Sequence, residues 1–268
     1  MRFNLHTHTY RCHHASGTER EYIENAIQSG MELLGFSEHV PYPFPDGHES
    51  SFRLYRRDLE NYFSALNALR SEYKNEITIV IGFEAEYYPK YFEDMLRLIR
   101  PYNPDYLLLG QHFTNNEEDG VYCLRPTGEE AHLRRYVEQV SDALATGRFT
   151  YLAHPDLIHF TGEPVVYDAY MTRLCEAAKR LQIPLEFNVL GVRDHRIYPS
   201  ERFFRIAGKV GNEIVLGCDA HCPEAMLASE TAVQAIHFLS KYGLKPRREK
   251  INFSDLQRLE NSKKTVSY

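Results

Sequence analysis

The chain has 268 residues, 43% of them hydrophobic, and a formal net charge of −6. That length buries a core sufficient for one barrel-type domain or two smaller ones, and the acidic balance, without a long basic run, argues against a nucleic-acid partner. No run of about 18 apolar residues occurs and no basic-then-apolar segment opens the chain, so no membrane partner and a cytoplasmic location are expected. The five cysteines, Cys12, Cys123, Cys175, Cys218 and Cys222, are odd in number and scattered, which favours free thiols.

Short apolar runs alternate with helical periodicity along the chain. The first strand, FNLH at 3–6, leads through HTHTYRCHHA to a helix over 19–29, whose start carries Thr18 and Glu21 at capping-box spacing. A strand at 33–37 runs into SEH, followed by an aromatic and proline-rich loop, PYPFPDGHESSFRLY, expected as a lid or pocket wall. A helix over about 56–74, a strand at 77–83 ending in GFEAE, a helix over 91–100 and a strand at 105–110 ending in GQH come next. Thr127 and Glu130 suggest a second capping box for a helix over 129–146, and a strand at 150–154 ends in AHPD. The pattern closes with a helix over 168–182, a strand at 184–189, a helix over 201–210, a strand at 213–217 ending in CDAH and a helix over 224–242. Gly30, Gly147, Gly211 and Gly243 sit where helices should stop. Beyond about residue 250 the tail is polar and expected to be peripheral.

Strands followed by helices or long loops imply parallel pairing through right-handed crossovers. A Rossmann sheet would place a glycine fingerprint at the first turn, and none is there, so a barrel is the better expectation. Barrel chemistry gathers at the carboxyl ends of the strands. His6 and His8 share one face of the first strand, with His13 and His14 just behind. The ends of the following strands add His39, Glu84 and Glu86, His112, His154 and Asp156, then Asp219 and His221. Every strand except the sixth thus delivers a possible ligand to the same rim. Mixed imidazole and carboxylate donors suit zinc, manganese or iron. His48, His132, His195 and His237 are expected on surfaces or loops.

The succession HxH, EH, the glutamate of GFEAE, QH, AHP and DAH resembles the polymerase and histidinol phosphatase (PHP) superfamily over about residues 3–240. The resemblance implies a single domain over 1–268 with a distorted (β/α)7 TIM-like barrel, hydrolysing phosphoesters with two or three divalent ions and a hydroxide bridged between them. It implies one ion on His6, His8, Glu84 and Asp219, a second on Glu84, His112 and His154, and a third on His14, His39 and His221. His14 is preferred to His13 because the family's histidine stands six residues beyond the second member of HxH and precedes a small residue. Asp219, Glu84 and His221 are the expected catalytic residues.

A phosphate dianion also calls for a cationic clamp, for which Arg193 and Arg196 after the sixth strand are candidates, Arg193 foremost. His159 stands where related histidinol phosphatases commonly carry Arg or Lys, a departure that bears on the substrate. The expected substrate is a small phosphorylated metabolite, L-histidinol phosphate first. A phosphodiesterase or nucleotide phosphatase, and a non-catalytic metal-storing or sensing barrel, remain open alternatives.

Overall fold

The structure, a computed structural model, describes residues 1–45, 47–227 and 229–247. The expected peripheral tail lies outside the described residues. Strands β1 (Phe3–Asn4), β2 (Leu33–His39), β3 (Thr78–Ala85) and β4 (Tyr106–Leu109) lie side by side in that order, all parallel. A short antiparallel hairpin, β5 (Phe113–Thr114) and β6 (Val121–Tyr122), leaves the end of β4. Leu152 then carries the ring onward, bridging Leu109 on one side and Leu185 on the other. The pair β7 (Leu185–Asn188) and β8 (Ile214–Gly217) follows, again parallel, and Ala220 beyond β8 bridges Thr7 beyond β1. These bridges complete the circuit of a distorted TIM-like barrel.

Helices return the chain between strands: α1 (Glu19–Gln28), α2 (Leu59–Glu72), α3 (Phe92–Ile99), α4 (Glu130–Ala145), α5 (Pro164–Arg180), α6 (Val189–Arg193), α7 (Glu201–Val210) and, after β8, α8 (Ser229–Ser240). None of them is long and apolar enough to cross a membrane. Two packed layers result. One buried cluster, Phe3, Leu5, Leu33, Val80, Tyr106, Leu108, Tyr151, Ala153 and Val215, draws on the strand segments and no helix, so it fills the barrel interior. The second and larger cluster joins strands to the helices outside. Tyr106 needs glycine beside it in the inner layer: a Cβ at Gly35 would fall 2.4 Å from its hydroxyl oxygen.

Local sequence explains most boundaries. The Glu21 carboxylate accepts from the Thr18 amide, the return half of a capping box, and additionally from the Thr18 hydroxyl. Gly211 ends α7 in the left-handed region at φ 79°, where a side chain would be strained. Several expectations are corrected. Thr127 does not cap α4; its hydroxyl accepts from the Glu129 amide and the helix starts at Glu130. The strand over 150–154 contracts to the Leu152 bridge, because His154 turns away in the left-handed region at φ 29°. The helix over 168–182 starts earlier, at Pro164, whose fixed φ suits the first turn. That over 224–242 is a 3₁₀ turn (Pro223–Leu227) followed by α8. The aromatic loop after β2 packs as a wall, with Tyr42, Phe44, Arg53 and Leu54 buried.

Candidate active site

The carboxyl rim of the barrel brings together residues up to more than two hundred positions apart in sequence. His6 and His8 follow β1, His39 ends β2, Glu84 lies near the end of β3, and Asp219 follows β8. His6 Nε2 lies 3.4 Å from Glu84 Oε2 and 3.5 Å from Asp219 Oδ1. His8 Nε2 lies 3.3 Å and 3.5 Å from the same two oxygens. On the other side of Glu84, Oε1 is 2.7 Å from His154 Nε2 and 3.6 Å from His112 Nε2. The two oxygens of Glu84 therefore face different sets of imidazoles, the arrangement expected of a bridging carboxylate.

His14 and His221 meet at 3.0 Å between their Nε2 atoms, and with His39 they form a group whose donor atoms all lie within 4.8 Å of one another. His13 belongs to no such group and packs against the Tyr55 ring instead, tilted, at 4.1 Å between ring centroids. Four further groups are His8, Cys12 and His221; His6, His8 and Asp219; His6, Glu84 and His154; and His8, His39 and Glu84.

Outer contacts hold the rings in place. His6 Nδ1 faces Glu186 Oε1 at 2.7 Å, His112 Nδ1 faces Glu86 Oε1 at 3.0 Å, His14 Nδ1 faces the Cys12 carbonyl at 2.8 Å and His221 Nδ1 the Asp219 carbonyl at 3.0 Å. Each such contact fixes one ring nitrogen and aims the other inward. Asn188 joins two parts of the site: its amide donates to Glu186 Oε2 at 2.9 Å and Asp219 Oδ2 at 3.1 Å, while its carbonyl oxygen caps α6 through the Gly191 amide. Space is reserved by glycine at two places. A Cβ at Gly110 would fall 1.8 Å from Glu84 Oε1, and one at Gly217 would fall 1.7 Å from Glu186 Oε1. His154 and Asp219 both have positive φ, strained backbone of the kind that concentrates at functional sites.

The electrostatics favour a cation. Burial lowers His8 and His39 and takes His221 down to about 4, so these rings are neutral at pH 7, the form in which an imidazole can ligate a cation. Burial would lower His6 as well, but Glu186, Asp219 and Glu84 drive it well above the usual imidazole value. Against a burial cost that favours the acid form, His112, His39 and His6 hold Glu84 well below the carboxylate range, and His6, His221 and His8 do the same for Asp219. Yet His6 Nε2 and both nitrogens of His8 are buried without a hydrogen-bond partner among the described residues. Unpartnered nitrogens facing ionised carboxylates are costly unless a positive charge, a proton or a metal ion, sits between them. The donor set fits divalent cations.

Beside these groups opens a cavity of about 610 Å³, lined among others by Glu84, His112, Asp219 and His221, by the aromatic side chains of Phe52, Phe113 and Tyr122, and by Arg193 and Arg196. Arg193 Nε donates to Asp194 at 3.0 Å and Arg196 NH1 to the Tyr198 hydroxyl at 2.8 Å. His159 is not on this wall; its backbone pairs with Cys123 and Thr127. Cys12 is buried, and burial pushes its thiol up to about 12, so it stays protonated at neutral pH. His132, expected at the surface, is buried on α4 with Nδ1 3.4 Å from Thr114 Oγ1. His195 and His237 are exposed as expected.

Sequence reasoning missed Glu186, Asn188 and Arg53. Glu186 lies inside the apolar run PLEFNV, where a charged residue on a buried strand was itself a signal of a paired role.

Comparisons with known proteins agree with this architecture. A family model described as PHP domain matches residues 4–189. A relative from Deinococcus radiodurans, named probable histidinol-phosphatase, is 29% identical over 230 residues, 81% of this chain and 85% of that protein. The histidinol-phosphatase of Bacillus subtilis is 30% identical over 125 residues, 44% of this chain and 46% of that protein. Among solved structures, the histidinol phosphate phosphatase of Lactococcus lactis, complexed with zinc, L-histidinol and phosphate, is similar at a TM-score of 0.67 and 20% identity, covering 91% of this chain and 95% of that one. The structural likeness is one of fold.

Proposed function

The chain belongs to the PHP domain family, and on that footing we propose that it is a metal-dependent phosphomonoesterase that hydrolyses L-histidinol phosphate to L-histidinol and phosphate. One observation carries the reading: the cavity that opens on Glu84, His112, Asp219 and His221 also receives Arg193 and Arg196. A closed storage site would fill its coordination positions with protein, whereas a catalytic one leaves room for substrate. The relatives named histidinol-phosphatase support the choice of substrate.

Two or three divalent cations, zinc, manganese or iron, are the cofactors this reading requires. His6, His8, Glu84 and Asp219 would hold one, Glu84, His112 and His154 a second, and His14, His39 and His221 a third. When bound, such cations lower the pKa of water and neutralise charge on a phosphate. The chain's own residues do the rest. Glu84 and Asp219 stay ionised and would offer their carboxylate oxygens to the cations. Glu186 holds the proton of His6 at Nδ1 and so leaves Nε2 free to ligate. Arg193 and Arg196 receive phosphate oxygens, and the guanidinium fork suits that bidentate task. Asp194 restrains both arginines, through contacts of 3.0 Å to Arg193 and 3.5 Å to Arg196. Phe52, Phe113 and Tyr122 wall off solvent around the leaving group.

His159 favours a second reading. A histidine replaces the basic residue common among related phosphatases, and it stands off the cavity wall, which suits a different phosphoester, a nucleotide or a phosphodiester among them. A phosphate-release screen decides between the two, run over L-histidinol phosphate, other metabolite monophosphates and a chromogenic phosphodiester, with elemental analysis of the same preparation. L-histidinol phosphate should give the highest kcat/KM. Preference for another ester would transfer the substrate assignment while leaving the hydrolase in place.

A further inference from the structure

Arg53 sits in the middle of the aromatic loop after β2, only 2% exposed. Its NH1 and NH2 reach Glu86 Oε2 and Oε1, both at 2.8 Å, and its Nε reaches Glu117 Oε2 at 2.8 Å. Phe52 and Tyr42 cover the guanidinium, with its carbon 4.6 Å and 5.2 Å from the ring centroids. One buried cation thus ties three segments together: the loop after β2, the end of β3 and the loop between β5 and β6. The contact continues inward, because Glu86 Oε1 also faces His112 Nδ1 at 3.0 Å.

We propose that Arg53 and Glu86 are positioning residues that fix the orientation and tautomer of His112, so that its Nε2 points at Glu84. The proposal rests on His112 being a metal ligand, as read above. A bare Glu86 would be a poor orienter. Ionised and buried with one imidazole, it would be free to rotate or to take up a proton, whereas the two-pronged grip of Arg53 consumes one lone pair on each oxygen and leaves Oε1 a fixed acceptor for the Nδ1 proton. His112 begins a stretch that turns at once into the β5–β6 hairpin, and Glu117 in that hairpin's loop is held by the same guanidinium. The segment carrying the ligand and the carboxylate aiming it are therefore referenced to one point. This gives the aromatic loop a function that a movable lid would not have: it is the fixed mount of one ligand.

The test uses the full-length protein and zinc alone. Arg53→Lys keeps the buried charge but cannot fork, and Glu86→Gln keeps the shape but cannot accept on both oxygens while neutralising Arg53. Zinc affinity is measured by chelator competition on both variants, and again with each in a His112→Ala background, with circular dichroism to establish folding. Each single variant should weaken the zinc that depends on His112 by about 10–100-fold, and neither should change affinity once His112 is alanine. A purely structural role would lower the melting temperature and weaken zinc equally in both backgrounds, which would overturn the proposal. Zinc affinity within about twofold of wild type in a folded variant would overturn it too. If Arg53→Lys does not fold, Glu86→Gln alone decides. Wild-type affinity in His112→Ala itself would overturn the reading of His112 as a ligand along with this proposal, whereas a weakened His112→Ala beside neutral Arg53→Lys and Glu86→Gln would sink this proposal alone.

Discussion

His6 Nδ1 lies 2.7 Å from Glu186 Oε1, a contact between the segment just after β1 and strand β7 that turns His6 Nε2 toward Glu84 and Asp219. The other oxygen of Glu186 accepts from the His154 amide at 2.9 Å and the Asn188 side chain at 2.9 Å. Glu186→Gln would point an amide donor at donors. Metal affinity should fall by about 10–100-fold, read by chelator competition, with the fold retained by circular dichroism. An unchanged affinity would mean that Glu186 serves the barrel interior and not the site.

Gly110→Ala tests the placement of Glu84 without touching a ligand. The new methyl carbon would fall 1.8 Å from Glu84 Oε1, so the carboxylate has to swing away. Metal content should drop by elemental analysis, accompanied by an overpacking cost of about 1–3 kcal/mol in thermal unfolding. Full metal content in this variant would show that Glu84 is not a bridging ligand.

Kinetics should separate the roles at the cavity. Asp219→Asn and His8→Ala should reduce kcat by more than the about 100-fold expected of an outer partner. Arg193→Ala should mainly raise KM, by about 10–100-fold if it loses charged hydrogen bonds worth about 1.5–3 kcal/mol. Equal changes in kcat and kcat/KM for Arg193→Ala would move this arginine from substrate binding to the transition state.

Acid stability should report the buried pair of Arg53 and Glu86. Burial alone would raise Glu86, but Arg53 and His112 overcome it and hold the carboxyl at about 2, against an ordinary 4.5. A carboxylate lowered on folding contributes stability above its unfolded pKa and loses it as pH falls through the folded one. Denaturant unfolding from pH 5 downward should therefore show a decline between about 4.5 and 2 that is shallower in Glu86→Gln. Parallel curves for the two proteins would place the acid sensitivity elsewhere.

The rim residues were legible because imidazoles and carboxylates at strand ends are informative one at a time: His6, His8, His39, Glu84, His154 and Asp219 follow from position alone once the strands are found. Residues that work through a partner were not. Arg53 looks like an ordinary member of an aromatic loop until Glu86 and Glu117 are brought to it by the fold. Glu186 was hidden by the apolar neighbours that made PLEFNV a strand. The fifth strand misled for a related reason. TYLAH has strand propensity, but left-handed His154 cuts the pairing to Leu152, and that turn serves the site at the cost of the sheet. His132 was expected outside because a lone histidine on an amphipathic helix gives no sign of which neighbour will cover it.

The central claim is that these convergent side chains hold cations whose presence makes the cavity hydrolytic. Its most direct test is phosphate release from L-histidinol phosphate by protein stripped with chelator and then reloaded stepwise with zinc or manganese. The account predicts no release from the stripped protein and recovery in step with metal taken up. Equal release before and after reloading, or full metal uptake with no phosphate freed from any phosphoester, would contradict it.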